Sequence, residues 1–191
     1  MVAPGRYEGP YREGGITIAI RRYQARDRDA INAVARAAFA QYEPHYEDWP
    51  AFIEGIGRMA DLVREGDLLV AEQDGAIVGG VLHLAPGRPR SPIFPPEWSV
   101  IRMLVVAPAA RGQGIARRLM AACLRHAIDA GAPALGLHTS PMMATALRMY
   151  EALGFVRDAD IAPIRGVAYG RYLLPAADLA RALDMLEAAQ A

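Results

Sequence analysis

The sequence has few of the features that mark secreted, membrane-spanning or nucleic-acid-binding proteins. Cys123 is the only cysteine among 191 residues, so no disulfide can form within the chain, and we expect a reducing, cytoplasmic location. Lysine plus arginine and aspartate plus glutamate each number 21, so no net charge attracts nucleic acid or an anionic membrane. No run of about 18 apolar residues is present, which predicts no membrane span.

What is present favours one folded domain, since 53% of the residues are apolar. Alternating, β-branched stretches predict strands, and apolar residues three and four apart predict helices, in the order βααβββαβαββα. This order predicts an α/β or α+β fold, with a mixed sheet and helices on both faces. Residues 1–15 predict a flexible tail, and residues 176–191 a C-terminal helix that packs on the domain or on a partner subunit.

A turn rich in small residues joins the most apolar predicted strand to a long predicted helix. Residues 111–116 read Arg-Gly-Gln-Gly-Ile-Ala and follow shortly after Pro108, which ends the predicted strand. The first turn of a helix has unpaired N–H groups and the positive end of the helix dipole, and small residues let a phosphate approach them. The turn is therefore a phosphate-binding loop or a glycine-rich helix start without a ligand.

Three stretches resemble the GNAT superfamily of N-acetyltransferases. The family's phosphate loop reads Arg/Gln-x-x-Gly-x-Gly/Ala, the strand before it reads Leu-x-Val-x-Pro, and a later helix ends in Tyr-Glu-x-Leu-Gly-Phe. The matching residues are Arg111, Gly114 and Ala116, then Leu104, Val106 and Pro108, and finally residues 150–155. The resemblance implies a GNAT-like central sheet of about seven strands, with residues 16–175 as the acyltransferase domain.

The same resemblance implies acetyl-CoA as co-substrate, and we expect no metal ion. In the family, backbone groups of the strand pair with the pantetheine arm, and the loop holds the diphosphate. The cofactor contacts implied here are Leu104, Val105, Val106, Arg111, Gly112, Gln113, Gly114, Ile115, Ala116 and Arg117. Tyr150 resembles the family tyrosine that protonates the leaving thiolate. Its alternative is a core aromatic residue packed beside Phe155.

Two positions depart from the family pattern. Many members carry a glutamate base on the strand before the loop, and the equivalent residue here is Val100, which cannot accept a proton. The candidates that remain are Glu97, His83, His138 and solvent, and we predict Glu97 as the catalytic base. Where many members hold the CoA arm with an asparagine, this chain has Met143. Ser140 or Thr139 is expected to replace that contact, and Ser140 is our choice.

The acceptor site is expected in the loop between the first two helices. Residues 41–49 contain three carboxylates and three aromatic rings, which suit a cationic amine, although an ordinary solvated loop has the same composition. The predicted substrate-binding residues are Glu43, Tyr46, Trp49 and Arg102. The proline-rich residues 86–96 could cover this site, or could hold core anchors or a dimer contact.

These features predict an N-acetyltransferase that moves acetyl from acetyl-CoA to a primary amine of a small molecule, by direct attack in a ternary complex. The alternative is an acyl-CoA-binding protein that has lost turnover, because the strand base is absent at Val100. We expect no nucleic acid or membrane partner, and a homodimer is left open.

Overall fold

The structure is a computed structural model and describes residues 11–13 and 16–189. Eight strands form one sheet in the order β1-β2-β3-β4-β5-β6-β8-β7. The strands are β1 Tyr11–Glu13, β2 Ile16–Arg22, β3 Asp67–Gln73, β4 Ala76–Leu84, β5 Ser99–Val106, β6 Ala134–Thr139, β7 Val156–Ile164 and β8 Val167–Pro175. The α-helices are α1 Arg28–Phe39, α2 Trp49–Ile56, α3 Ile115–Asp129, α4 Ala144–Leu153 and α5 Ala176–Ala188. The predicted mixed sheet of about seven strands is confirmed, with β1 as a short additional edge strand.

The strand β1 lies inside the segment for which the sequence predicts a flexible tail. Its three residues pair antiparallel with the start of β2 through backbone hydrogen bonds. Backbone pairing does not depend on an apolar side-chain pattern, so the composition of the segment did not reveal it. The other residues of the predicted tail lie outside the described residues.

Period-two alternation divides the sheet residues between two apolar layers. Along β3, Leu69 and Ala71 lie in the core layer beneath α3 and α5. Leu68 and Val70 lie in the opposite layer, against α1. Because successive side chains of a strand point to opposite faces, this run of apolar residues on both faces marks a strand that is covered by helices on each side.

The structure shows where the second predicted helix ends and what the C-terminal helix packs against. The second predicted helix, α2, ends at Ile56, and a 3-10 helix follows over Met59–Arg64. A Cβ atom added at Gly57 would meet the guanidinium of Arg36, so the Arg36 side chain lies directly over this position. The C-terminal helix α5 packs on its own domain, since Leu179 and Leu186 are buried in the core beside α3.

The helix α3 lies unusually close to the sheet at its N-terminal end. A side chain built at Gly79 of β4 would come within 3.0 Å of the Ile115 side chain and within 2.9 Å of the Val105 carbonyl oxygen. Glycine therefore lets the first turn of α3 pack directly on β4 and β5, which fixes the loop that precedes α3. No helix among the described residues is long and apolar enough to cross a membrane.

Candidate active site

A cleft opens in the middle of the sheet between the parallel strands β5 and β6. These strands pair only at Ser99↔Leu135 and Val100↔Gly136, and they diverge beyond that point. A cavity of about 830 Å³ fills the gap, lined on one side by residues 101–106 and on the other by residues 137–139. The cleft therefore presents strand backbone from both sides to any molecule that enters it.

A β-bulge aims part of β5 into this cavity. Between the pairs Gly80↔Val105 and Leu82↔Arg102, one residue of β4 faces two residues of β5. Met103 adopts φ 55° within the bulge, a conformation that is uncommon for a residue with a side chain. Bulges bend a strand and redirect its backbone groups, so the bulge turns this part of β5 toward the gap. Strain held at a cavity wall often belongs to a functional site.

The loop before α3 lies at one end of the cavity. Gly112 and Gly114 have φ 81° and 75°, and a side chain added to either would meet no atom within 4 Å. Both glycines are therefore required by backbone conformation and leave open space in front of the first turn of α3. The loop residues that line the cavity are Arg111, Gly112, Gly114, Ile115, Ala116 and Arg117.

Two side chains of this loop fasten it to neighbouring elements. Arg111 donates from Nη1 to Gln41 Oε1 at 3.3 Å and from Nη2 to the carbonyl of Ala38 at 3.2 Å. Gln113 accepts a hydrogen bond from Gln73 Nε2 at 2.7 Å and does not line the cavity. Arg111 thus remains at the cavity while it ties the loop to the end of α1, whereas Gln113 anchors the loop to β3.

Tyr150 of α4 reaches the cavity from beneath the cleft. Its side chain is only 6% exposed, its ring centroid lies 5.7 Å from that of Phe155, and it lines the cavity. Burial raises the pKa of the Tyr150 phenol, with smaller contributions from Cys123 and Tyr42. The phenol therefore keeps its proton well above neutral pH. Both predictions for this residue, core aromatic and cavity-facing phenol, are compatible with its position.

The candidate bases lie in different places. Val100 is fully buried in the core. Glu97 is exposed and does not line the cavity, because it precedes β5 in the turn that follows Pro95 and Pro96. This position contradicts our choice of Glu97 as base, since a base must come within hydrogen-bond reach of the proton it removes. His83 lies in the sheet away from the cavity.

His138 is the candidate base that the structure brings to the cavity wall. Its Nδ1 is buried and has no hydrogen-bond partner among the described residues. Burial, with a smaller contribution from Arg102, lowers the pKa of His138 to about 4. The imidazole is therefore neutral at pH 7, and the same burial makes it a weaker base than an exposed histidine.

Part of the cavity wall is apolar and aromatic. Its walls come from α1, the following 3-10 helix over Ala40–His45, α2, β7 and β8. The wall residues are Phe39, Tyr42, Phe52, Ile56, Ile164 and Tyr169. No carboxylate lines the cavity among the residues that the structure describes, whereas four arginines do. The loop was expected to offer carboxylates to a cationic amine, and this expectation is wrong for the cavity as described.

Three predicted substrate-binding residues lie outside the cavity lining. Glu43 is exposed, because the 3-10 helix turns its neighbour Tyr42 inward. Tyr46 and Trp49 lie behind the wall, where Tyr46 stacks on Phe52 with ring centroids 3.9 Å apart. The Tyr46 hydroxyl also shares a short hydrogen bond with the Tyr169 hydroxyl. Tyr46 therefore supports the wall and does not form it.

Arg102, the fourth predicted substrate residue, lines the cavity. Its Nη1 lies 2.6 Å from Glu65 Oε2, and its side chain is 30% exposed.

Ser140 does not line the cavity. Its hydroxyl accepts from the Met142 N–H at 3.4 Å within the turn that begins α4. Thr139 lines the cavity instead. The proline-rich segment, residues 86–96, does not line the cavity, and its Phe94 packs into the core.

Comparison with known proteins identifies the family. A model described as "Acetyltransferase (GNAT) family" matches residues 28–155. The chain belongs to this family. The match runs from the start of α1 to the end of the Tyr150 motif, and so it covers both walls of the cleft.

Individual relatives agree with this assignment. The chain is 30% identical over 143 residues to the mycothiol acetyltransferase of Thermomonospora curvata. The aligned residues make up 74% of this chain and 45% of that relative. The chain spans between 45% and 66% of the length of the first curated relatives it matches. An N-acetyltransferase of Staphylococcus aureus Mu50 has the same fold, with a TM-score of 0.66 and 18% identity over 83% of this chain and 98% of its own. A GNAT family acetyltransferase of Brucella melitensis, solved with acetyl-CoA, gives a TM-score of 0.57 and 23% identity over 83% of this chain and 87% of its own.

Proposed function

We propose that this protein transfers the acetyl group of acetyl-CoA to a primary amine of a small molecule, by direct attack within a ternary complex. One observation carries the proposal. The cleft between β5 and β6 runs from a glycine loop at the start of α3, past exposed strand backbone, to a buried phenol at Tyr150. This arrangement offers a diphosphate site, a pantetheine channel and a proton donor in one continuous cavity.

The cofactor half follows from backbone chemistry. The N–H groups at the start of α3 and the side chains of Arg111 and Arg117 would hold the diphosphate. The free backbone edge of residues 104–106 would pair with the amides of pantetheine, as an added strand pairs with a sheet edge. An N–H group redirected by the bulge at Met103 is suited to hydrogen-bond the thioester carbonyl oxygen, which stabilises the negative charge that develops there.

The chemical step needs one proton removed and one supplied. The neutral amine attacks the thioester carbonyl carbon, a tetrahedral intermediate forms, and the C–S bond breaks. The amine proton leaves as the C–N bond forms, and the CoA sulfur takes up a proton. Tyr150 is the group we assign to the sulfur, because its raised pKa keeps the hydroxyl protonated at neutral pH. It donates a hydrogen bond to the developing thiolate.

His138 replaces Glu97 as our choice for the base. It faces the cavity, is neutral at pH 7 and lies on β6, across the cleft from β5. A base with so low a pKa removes a proton only from an amine that has already become positively charged by attack. We therefore propose that His138 accepts the proton after the C–N bond has begun to form, directly or through water.

The cavity wall indicates the class of acceptor. Aromatic and aliphatic side chains suit an apolar group on the acceptor, and Arg102 suits an anionic group such as a carboxylate. A polyamine or other cationic acceptor would meet arginines and no carboxylate among the described lining residues. We propose an amine that carries an aromatic or branched apolar group and a carboxylate. The relative at 30% identity is named for mycothiol, which is also a small molecule.

The test is acetyl transfer from acetyl-CoA across paired amines. Phenylalanine and phenethylamine differ by one carboxylate, and cadaverine represents cationic acceptors. Release of the CoA thiol and the mass of the acetylated product are measured for each. Preference for phenylalanine over phenethylamine supports the proposed class, and preference for cadaverine overturns it.

The alternative, an acyl-CoA-binding protein without turnover, is favoured by the buried valine at position 100. The same experiment separates the two hypotheses. Tight binding of acetyl-CoA, with no amine of a broad panel acetylated and no effect of Tyr150→Phe on thioester hydrolysis, would establish the alternative. A cytoplasmic location and a homodimer remain predictions.

A further inference from the structure

Three side chains of types that can bind a metal ion meet where β3, β4 and the C-terminal half of α3 come together. Asp67 begins β3, His83 is its register partner on β4, and His126 lies near the end of α3. His126 follows Ile115 by 11 residues, which at a rise of 1.5 Å per residue places it roughly 16 Å along α3 from the loop. None of the three lines the cavity. The proposed acetyl transfer therefore gives these residues no role.

His83 is the feature that requires explanation. It is 1% exposed, and both of its ring nitrogens are buried with no hydrogen-bond partner among the described residues. Burial of a polar group without a hydrogen-bond partner costs free energy, and such groups in folded proteins are normally hydrogen-bonded. Burial, with smaller contributions from His126 and Arg90, lowers the pKa of His83 to about 3, so the ring is neutral and has a lone pair to offer.

The three side chains have the separation that one ion needs. One donor atom from each lies within 4.8 Å of the other two, and Asp67 Oδ2 lies 3.7 Å from His126 Nδ1. With metal–ligand bonds of about 2.0–2.1 Å, neighbouring ligands of a tetrahedral site lie roughly 3.4 Å apart. Small side-chain rotations therefore suffice to close the group around an ion.

The surroundings orient the ligands and leave a path for entry. Arg22 Nη1 lies 3.1 Å from Asp67 Oδ1, which leaves Oδ2 directed toward His126. The side chains of Asp67 and His126 are 32% and 23% exposed, so solvent reaches the group from their side. The contact of Asp67 with Arg22 is the kind of second interaction that orients a metal-ligating carboxylate.

We propose that Asp67, His83 and His126 bind one divalent transition-metal ion of the zinc class, with water as the fourth ligand. Two imidazole nitrogens and one carboxylate oxygen are donors that zinc accepts in tetrahedral geometry. The ion joins β3, β4 and α3, so it stabilises the fold. This proposal departs from the expectation that the protein binds no metal ion.

The experiment uses the untagged full chain after chelation of all metal. Calorimetric titration with Zn²⁺ should show one saturable equivalent, and Co²⁺ should give the intense visible absorption of a tetrahedral site. Zn²⁺ at a hundred times its dissociation constant should raise the Tm by about 5–10 °C in a domain of this size. His126→Ala and the milder Asp67→Asn should each weaken Zn²⁺ binding at least about tenfold, since one of three protein ligands is lost.

His45→Ala is the matched control, because His45 is exposed and remote in sequence from the group. This variant should bind Zn²⁺ and Co²⁺ as the unchanged protein does. Equal loss of binding in His45→Ala would show adventitious binding to surface histidines and overturn the proposal. The absence of saturable binding to the unchanged protein, or binding that survives both ligand variants, would overturn it as well.

Discussion

Replacing Tyr150 with phenylalanine removes one oxygen atom from the centre of the proposed site. The ring remains, and with it the contact to Phe155 and the place of the side chain in the core layer beneath α3. The fold should therefore be retained, with a Tm within about 4 °C of the unchanged protein, which corresponds to roughly 1 kcal/mol. The affinity for acetyl-CoA should also stay within about threefold, because the loop and strand that would hold it are untouched.

The effect on turnover should be much larger. A well-placed general acid contributes roughly 10²–10⁴-fold to the rate. Burial raises the pKa of the Tyr150 phenol and makes it a weaker proton donor, so the lower part of that range applies. We expect kcat to fall by about 10²–10³-fold, or about 3–4 kcal/mol of transition-state stabilisation.

The assay measures kcat and KM for acetyl-CoA with an accepted amine, together with equilibrium binding of acetyl-CoA. Tyr172→Phe is the matched control, because Tyr172 is a buried tyrosine of the same core layer that does not line the cavity. Turnover of Tyr150→Phe within about threefold of Tyr172→Phe, at unchanged stability, would refute the assignment of Tyr150 as proton donor.

Three further outcomes test other parts of the structure. Gly114→Ala and Gly75→Ala each place a side chain at a positive-φ position with open space around it, so each variant should lose about 1–2 kcal/mol of stability. Only Gly114→Ala should raise the KM for acetyl-CoA, by about tenfold. Equal KM values in the two variants would contradict the loop assignment. Arg102→Gln should raise the KM for a carboxylated amine about tenfold. Glu65→Gln removes the ion-pair partner of Arg102 and should not raise this KM. A rise in both variants would show that the ion pair, and not Arg102 alone, is needed for binding. Burial raises the pKa of Tyr46, so its contribution to stability is present below about pH 10 and is lost as the pH rises above it. Because the sequence has no lysine, urea unfolding between pH 9 and 11 should report the titration of the buried tyrosines together with that of the Cys123 thiol, whose pKa burial also raises. The expected loss is up to about 1.4 kcal/mol per pH unit per buried group, and a flat profile would contradict it.

The proposed cofactor half of the site could be recognised in the sequence because its residues are contiguous, and its contacts with acetyl-CoA stay a proposal. The glycine loop at 111–116 and the helix end at 150–155 each carry their chemistry within six residues, and the strand before the loop is adjacent to it. Local backbone requirements, such as positive φ at Gly112 and Gly114, select residue types that are visible without tertiary information.

The acceptor half could not be predicted in the same way. Its wall draws single apolar residues from five separate elements, and an apolar residue that lines a cavity has the same sequence pattern as one that fills a core. Glu43 was chosen because its loop is acidic, but the turn of the 3-10 helix directs Tyr42 inward and leaves Glu43 in solvent.

The sequence by itself determined the family, the order of the elements, the glycine loop at 111–116 and the place of Tyr150 near a helix end, since these depend on local patterns. Only the tertiary structure decided which carboxylates and imidazoles face the cavity and which do not. It excluded Glu97 from the cavity and brought His138 to its wall. It also gathered Asp67, His83 and His126, which are far apart in sequence, into one group. The physical reason is that strand pairing and helix packing bring together residues that are distant in sequence, and no local sequence pattern predicts such a contact.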